Sequence, residues 1–131
     1  MSDLTGPELD FLHHAIDLAR EGRADELAAL VDAGLPVNLT NPAGDTLLIL
    51  AAYHEHPDTV DALVQRGADT ERQNDRGQTA LGAATFRRQT RSVELLLAAG
   101  ADPAGGAKSA LDLARFFELD DMVALLEAPR P

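Results

Sequence analysis

Apolar positions recur along this chain in short blocks of helical period, and the blocks come in pairs. Leu9, Leu12, Ile16 and Ala19 return at three- and four-residue spacing, which predicts an amphipathic helix over about 7–21 that stops at Gly22. Thr5 or Ser2 can cap its start, and Pro7 sits at an early position where a missing N–H costs little. Leu27, Leu30 and Val31 then mark a second helix over about 24–33, with Gly34 in the place of a C-terminal cap. The same couplet is predicted at Leu47–His54 with Asp58–Arg66, at Ala80–Arg87 with Ser92–Ala99, and at Ser109–Glu118 with Asp120–Glu127. Pro57 is tolerated at a helix start but would break an interior. The closing Pro129-Arg130-Pro131 is expected to fray.

These couplets repeat in register. Gly44, Thr46, Leu48, Ala51, Val60, Leu63 and Gly67 correspond to Gly77, Thr79, Leu81, Ala84, Val93, Leu96 and Gly100, all at one offset of 33 residues. Self-similarity at such a period is the mark of a stacked repeat array. The first unit keeps the register through Gly34, yet Phe11 and His13 stand where later units carry Gly and Thr, as a degenerate end cap would. A fourth unit matches at an offset of 30, the three lost residues falling in the connection 103–108. The expected organisation is one domain over 1–131, with units at about 8–40 (N-terminal cap), 41–73, 74–103 and 104–128 (C-terminal cap).

The central units carry a resemblance. Gly44-Asp45-Thr46-Leu47-Leu48 with Ala51-Ala52, and Gly77-Gln78-Thr79-Ala80-Leu81 with Ala83-Ala84, are similar to the ankyrin-repeat signature G-x-T-P-L-H-x-A-A. Gly67-Ala68-Asp69 and Gly100-Ala101-Asp102 resemble its G-A-D-V-N ending, of which Pro36-Val37-Asn38 is a remnant. The Pro and His of T-P-L-H are replaced by Leu47 and Ile49 in one unit and by Ala80 and Gly82 in the next. The resemblance implies an all-α solenoid of stacked helix-turn-helix units with projecting turn or hairpin loops, whose concave face is built from the loops and first helices. The residues fit that plan. Thr46 and Thr79 can cap helices, Gly44 and Gly77 sit where a tight turn needs a positive φ, and Asp69 and Asp102 suit local Asx turns.

Composition narrows the chemistry. The chain has 45% hydrophobic but only 4% aromatic residues, so its core must be built from Ala, Leu and Val. It has no cysteine, which excludes disulfides and Cys-based metal sites. The amino terminus lacks a basic start and apolar run and no stretch reaches membrane-spanning length, which predicts a cytoplasmic protein. The net charge of −11 is concentrated in residues 1–65, where 12 acidic and 2 basic side chains give −10. Such a balance disfavours nucleic acid and suits solubility or a basic partner.

No catalytic or metal constellation stands out. The histidine pairs His13-His14 and His54-x-His56 lack the i, i+4 spacing of a chelating site; His56 is expected to make a structural bond. Asp25-Glu26 and Asp120-Asp121 sit at the starts of second helices, where negative charge favours the helix dipole. Gly105-Gly106-Ala107-Lys108-Ser109 lacks the Gly-Lys adjacency and the preceding strand of a phosphate loop. No cofactor is expected.

One column of residues does point to binding. Tyr53, Phe86 and Phe116 hold the same place near the ends of successive first helices, and Phe117 lies beside the last. Clustered aromatics either cover helix ends or form an interface ridge. His54 and Arg87 follow them, Asp45, Arg76 and Gln78 stand at the loop tips, and Arg87, Arg88 and Arg91 suggest a compact basic cluster. The reading is a non-catalytic protein-binding module, acting as a monomer on a partner through Asp45, Tyr53, His54, Arg76, Gln78, Phe86, Arg87 and Phe116. A stoichiometric inhibitor of a basic partner, such as an immunity or antitoxin protein, is the alternative; an enzyme or small-ligand protein is the more distant one. Leu4, Leu9, Leu119 and Met122 are candidates for exposed, self-stacking ends.

Overall fold

The computed structural model describes residues 6–129. Ser2, Leu4 and Thr5, and with them the proposed capping of the first helix, lie outside the described residues, as do Arg130 and Pro131. The first apolar stripe forms α1 (Gly6–Glu21), with Ala15, Ile16, Leu18 and Ala19 buried. Gly22 ends it at φ +75°, and α2 (Ala24–Asp32) follows at once. The later pairs are α3 (Leu47–Tyr53) with α4 (Pro57–Val64), α5 (Ala80–Phe86) with α6 (Thr90–Ala98), and α7 (Ala110–Phe116) with α8 (Asp120–Glu127).

Hydroxyl caps fix the starts of the short first helices. Thr46 Oγ1 accepts from Ile49 N at 3.0 Å, Thr79 Oγ1 from Gly82 N at 3.1 Å, and Ser109 Oγ from Asp112 N at 3.1 Å. The second helices start without a side-chain cap; Pro57 takes an early position in α4, and Asp25, Glu26, Asp120 and Asp121 lie in first turns as the dipole favours.

The helices pack in two layers. One contains α1, α3, α5 and α7 side by side, the other α2, α4, α6 and α8, and each pair bridges the layers. Ala51, Ala52, Ala84 and Ala114 are fully buried in the first layer, where the absence of longer side chains lets neighbouring helices approach closely. Val60, Leu63, Val93 and Leu96 fill the space between layers, each buried to 1% exposure or less, a burial that stabilises by about 1.5–3 kcal/mol per side chain. Met122 is buried at 2% and Leu119 is half-buried, so of the apolar ends proposed for self-stacking only Leu9 is exposed among the described residues. Met122 belongs to the core because it lies on the buried face of α8, which packs against α7.

The loops are bonded to one another as a ladder. Asn41 Oδ1 accepts from Ala43 N and Asp45 N, and Asn74 Oδ1 accepts from Arg76 N and Gln78 N, at 2.9–3.0 Å. Gly44 and Gly77 complete these turns at φ +81° and +77°. Successive loops are joined by Asp75 N to Ala43 O at 3.0 Å and by Lys108 N to Gly77 O at 3.2 Å. Asp69 and Asp102 make the expected Asx turns, accepting from Glu71 N and Ala104 N at 2.9 Å. The projecting arms thus have a fixed register against the first-helix layer.

Candidate functional site

The loop tips and the exposed side of α3, α5 and α7 enclose a groove of about 550 Å³. Its floor is apolar. Ile49 and Leu50 of α3, Gly82 and Ala83 of α5, and Leu113 of α7 line it. Tyr53, Phe86 and Phe117 stand around this floor and are 43%, 46% and 50% exposed. Phe86 meets Phe117 edge-on with centroids 5.7 Å apart, while Tyr53 meets His54 edge-on at 5.3 Å.

The polar rim comes from the loops. Asp45, Gln78 and Lys108 occupy the same place in three successive loops, so the rim grades from acidic to neutral to basic along the groove. Asp45 is already engaged: its oxygens accept from Asn74 Nδ2 at 2.8 Å and from Asn41 Nδ2 at 3.2 Å. Gln78 Oε1 accepts from Asn74 Nδ2 at 3.0 Å, which leaves its amide nitrogen without a partner among the described residues. Asn74 is buried at 6% exposure and spends every donor and acceptor of its amide on the two loops, so it holds Asp45 and Gln78 in place. Arg76 and Lys108 are exposed and carry no ion pair among the described residues, whereas Arg20 at the other end pairs with Asp17 at 3.3 Å. His54 is held below its usual pKa of 6.5 by burial first, and then by Arg20, His56 and Arg87. At neutral pH it is a neutral ring, offering one donor and one acceptor.

Six of the eight expected site residues line this groove: Asp45, Tyr53, His54, Arg76, Gln78 and Phe86. Arg87 and Phe116 do not. The Arg87 guanidinium lies 5.1 Å over the Tyr53 ring and binds Glu55, which raises its pKa; it holds the ring from beside the groove. Phe116 is 80% exposed outside the lining, and its neighbour Phe117 supplies the groove's ring at that end, the two rings meeting edge-on at 4.9 Å. The expected basic cluster of Arg87, Arg88 and Arg91 is dispersed into ion pairs with Glu55, Asp121 and Asp58, the last two at 2.8 and 4.0 Å. Each of these three cations meets an acid from a neighbouring couplet, so the charge is neutralised locally.

Sequence reasoning missed Gly82, Lys108 and Asn74. All three were legible in the repeat alignment: Gly82 stands where Ile49 does in the preceding unit, Lys108 where Gln78 does, and Asn74 where Asn41 does. Among the described residues no group of three or more His, Asp or Glu side chains is placed to hold a metal. His56 makes the structural bond expected of it, its Nε2 donating to the Arg20 carbonyl at 2.7 Å and tying the first couplet to the second.

A family model for ankyrin repeats, three copies, matches residues 12–105. The chain belongs to the ankyrin-repeat family. The match ends before α7, so the fourth helix pair continues the ankyrin stack beyond the three copies. A Pseudomonas aeruginosa protein described as an ankyrin repeat protein is 51% identical over 65 residues, which cover 46% of this chain and 38% of the relative. The chain therefore spans well under half the length of that relative. Ankyrin repeats are generally protein–protein interaction modules, and the groove lies where such arrays present loops and first helices together.

Proposed function

We propose that this ankyrin domain binds another protein non-catalytically, as a monomer in the cytoplasm, through the groove between its loop tips and first helices. The observation that carries this reading is the set of half-exposed rings Tyr53, Phe86 and Phe117 around an apolar floor. Contiguous apolar surface of this kind, rimmed by polar groups, is typical of interaction sites, and aromatic side chains dominate interface hot spots. The non-catalytic reading draws support from the lining, which offers no hydroxyl or thiol nucleophile hydrogen-bonded to a base among the described residues. The net charge of −11 argues against nucleic acid as the partner.

The inhibitor reading, with a basic partner, has one feature in its favour. A second depression, of about 640 Å³, lies in the other layer between α2 and α4, lined by Asp25, Glu26, Asp58 and Asp61 with Arg23 and Arg66. It lacks aromatic side chains, and Arg66 is already bound to Asp32 at 2.9 Å. We therefore place the interface in the aromatic groove.

Affinity capture with three forms of the protein separates the two faces: wild type, Tyr53→Ala/Phe86→Ala, and Asp25→Lys/Asp61→Lys, all first shown to share one helical circular dichroism spectrum. A partner retained by wild type and the lysine variant but lost by the alanine variant supports the groove. The opposite pattern would move the interface to the acidic depression and favour the inhibitor reading.

A further inference from the structure

Gly82 sits inside α5, in a helical conformation that does not need glycine. Glycine there weakens a helix relative to alanine. Packing does not require it either, because the nearest atoms a Cβ at this position would meet are Lys108 O and Thr79 Oγ1 at 3.5 Å and Leu113 Cδ1 at 3.9 Å, all ordinary contacts. What the missing side chain creates is room. The preceding unit fills the equivalent place with Ile49, buried at 4% exposure. The groove lining at Gly82 therefore carries no side chain where the preceding unit has Ile49, and Leu113 stands beside the bare position.

The charges around that position run against the charge of the molecule. Although the protein carries −11 overall, the groove lining holds Arg20, Arg76 and Lys108 against the single carboxylate of Asp45. That carboxylate is bonded to Asn41 and Asn74, and Arg20 to Asp17, so Arg76 and Lys108 are the two cations of the lining without an ion pair among the described residues. Arg76 belongs to the loop before α5 and Lys108 to the loop before α7, and the Lys108 carbonyl oxygen lies 3.5 Å from the Cβ position at Gly82.

We propose that the groove receives an extended acidic segment of a partner protein, with one large apolar side chain seated at Gly82 and its carboxylates against Arg76 and Lys108. This rests on the groove's being the protein-binding face. Charge complementarity chooses the occupant: a basic segment would leave its charges facing Arg76 and Lys108, while an acidic one pairs them. The overall negative charge opposes approach, so the preference arises from contacts inside the groove, where charges a few ångströms apart outweigh those beyond a Debye length of about 8 Å.

The test uses fluorescein-labelled ten-residue peptides with a central Leu or Phe flanked by Glu, by Gln or by Lys, and reads anisotropy. The Glu-flanked peptides are expected to bind at least about tenfold more tightly than the Gln-flanked set, and the Lys-flanked set most weakly. Arg76→Glu/Lys108→Glu should reverse that order, and Gly82→Leu, which fills the seat, should abolish binding. Gly82→Ala keeps the fold with a partial fill and should weaken binding by a few fold, guarding against a Leu variant that misfolds. Equal binding of all three sets, lost on Gly82→Leu, would overturn the acidic assignment while leaving the groove as the protein-binding face. Binding untouched by either Gly82 variant would overturn the inference, while the Tyr53→Ala/Phe86→Ala capture experiment decides the groove reading separately. If no peptide binds, the inference is wrong, and the capture experiment then decides the protein-binding reading independently.

Discussion

Four residues in this protein adopt the same left-handed turn between the paired helices: Gly22, Glu55, Arg88 and Glu118, at φ +75°, +68°, +55° and +56°. Glycine enters that region freely, whereas other residues are strained there by about 1 kcal/mol. Two of the strained residues gain something in return: Glu55 binds Arg87 and Gln89, and Arg88 binds Asp121. Glu118 makes no side-chain bond among the described residues. Glu118→Gly is therefore expected to stabilise the protein by about 0.5–1 kcal/mol in urea unfolding, and Glu55→Gly by less. The reverse holds at Gly22, where a Cβ would stand 2.4 Å from His56 Nδ1 and displace the ring that bonds the Arg20 carbonyl. Gly22→Ala should cost about 2–3 kcal/mol, adding a lost hydrogen bond to the backbone strain.

At the level of elements, the short first helices depend on their caps. Each of α3, α5 and α7 is 7 residues long, too short to persist without tertiary support. Thr79→Ala removes the bond to Gly82 N and should cost about 1 kcal/mol. Gly82→Ala, in the same helix, should instead add about 0.5–1 kcal/mol of stability while weakening partner binding, and thermal unfolding of the free protein puts this gain and the Thr79→Ala loss on one scale. The opposite signs distinguish a residue kept for folding from one kept for its empty space. The couplets, their caps and the Gly turns were legible in the sequence because each follows from local spacing and backbone chemistry. The groove was legible only in part. Column position brings Tyr53 and Phe86 to one groove, but whether Phe116 or Phe117 faces the floor turns on helix orientation at the shortened fourth unit, which a 30-residue offset does not encode. Likewise Arg87, Arg88 and Arg91 are close in sequence, yet their partners Glu55, Asp121 and Asp58 come from the neighbouring couplets.

Across the whole molecule, stacking is reinforced by ion pairs from one couplet to the next. Arg66 grips Asp32 with two bonds, Nε to Oδ1 at 2.9 Å and NH2 to Oδ2 at 3.2 Å, and Arg88 holds Asp121 at 2.8 Å. The arginine hydrogen bonds lower the pKa of both carboxyls below the usual 3.8. A depressed carboxyl favours the folded state above the unfolded pKa and loses that contribution as pH falls through the folded value. An Asp32→Asn, Arg66→Gln double-mutant cycle should therefore show coupling at neutral pH that fades as the pH falls below the unfolded value of 3.8 and through the lowered folded one. Because the pairs are exposed, high salt should shrink the coupling as well. The two layers of the stack also differ in charge, with four acids beside Arg23 and Arg66 in the second-helix depression and, at the groove rim, Arg76 and Lys108 without an ion pair among the described residues.

With its charges so divided, the molecule is proposed to meet its partners in the aromatic groove. Amide chemical-shift mapping of the isotope-labelled protein, titrated with the Glu-flanked Phe peptide, reads the contact surface directly. Shifts are expected to concentrate at Ile49, Leu50, Gly82, Ala83 and Phe117 and at the Arg76 and Lys108 loops, with α2 and α4 silent. Shifts confined to α2 and α4, around Asp25 and Asp61, would contradict the groove reading.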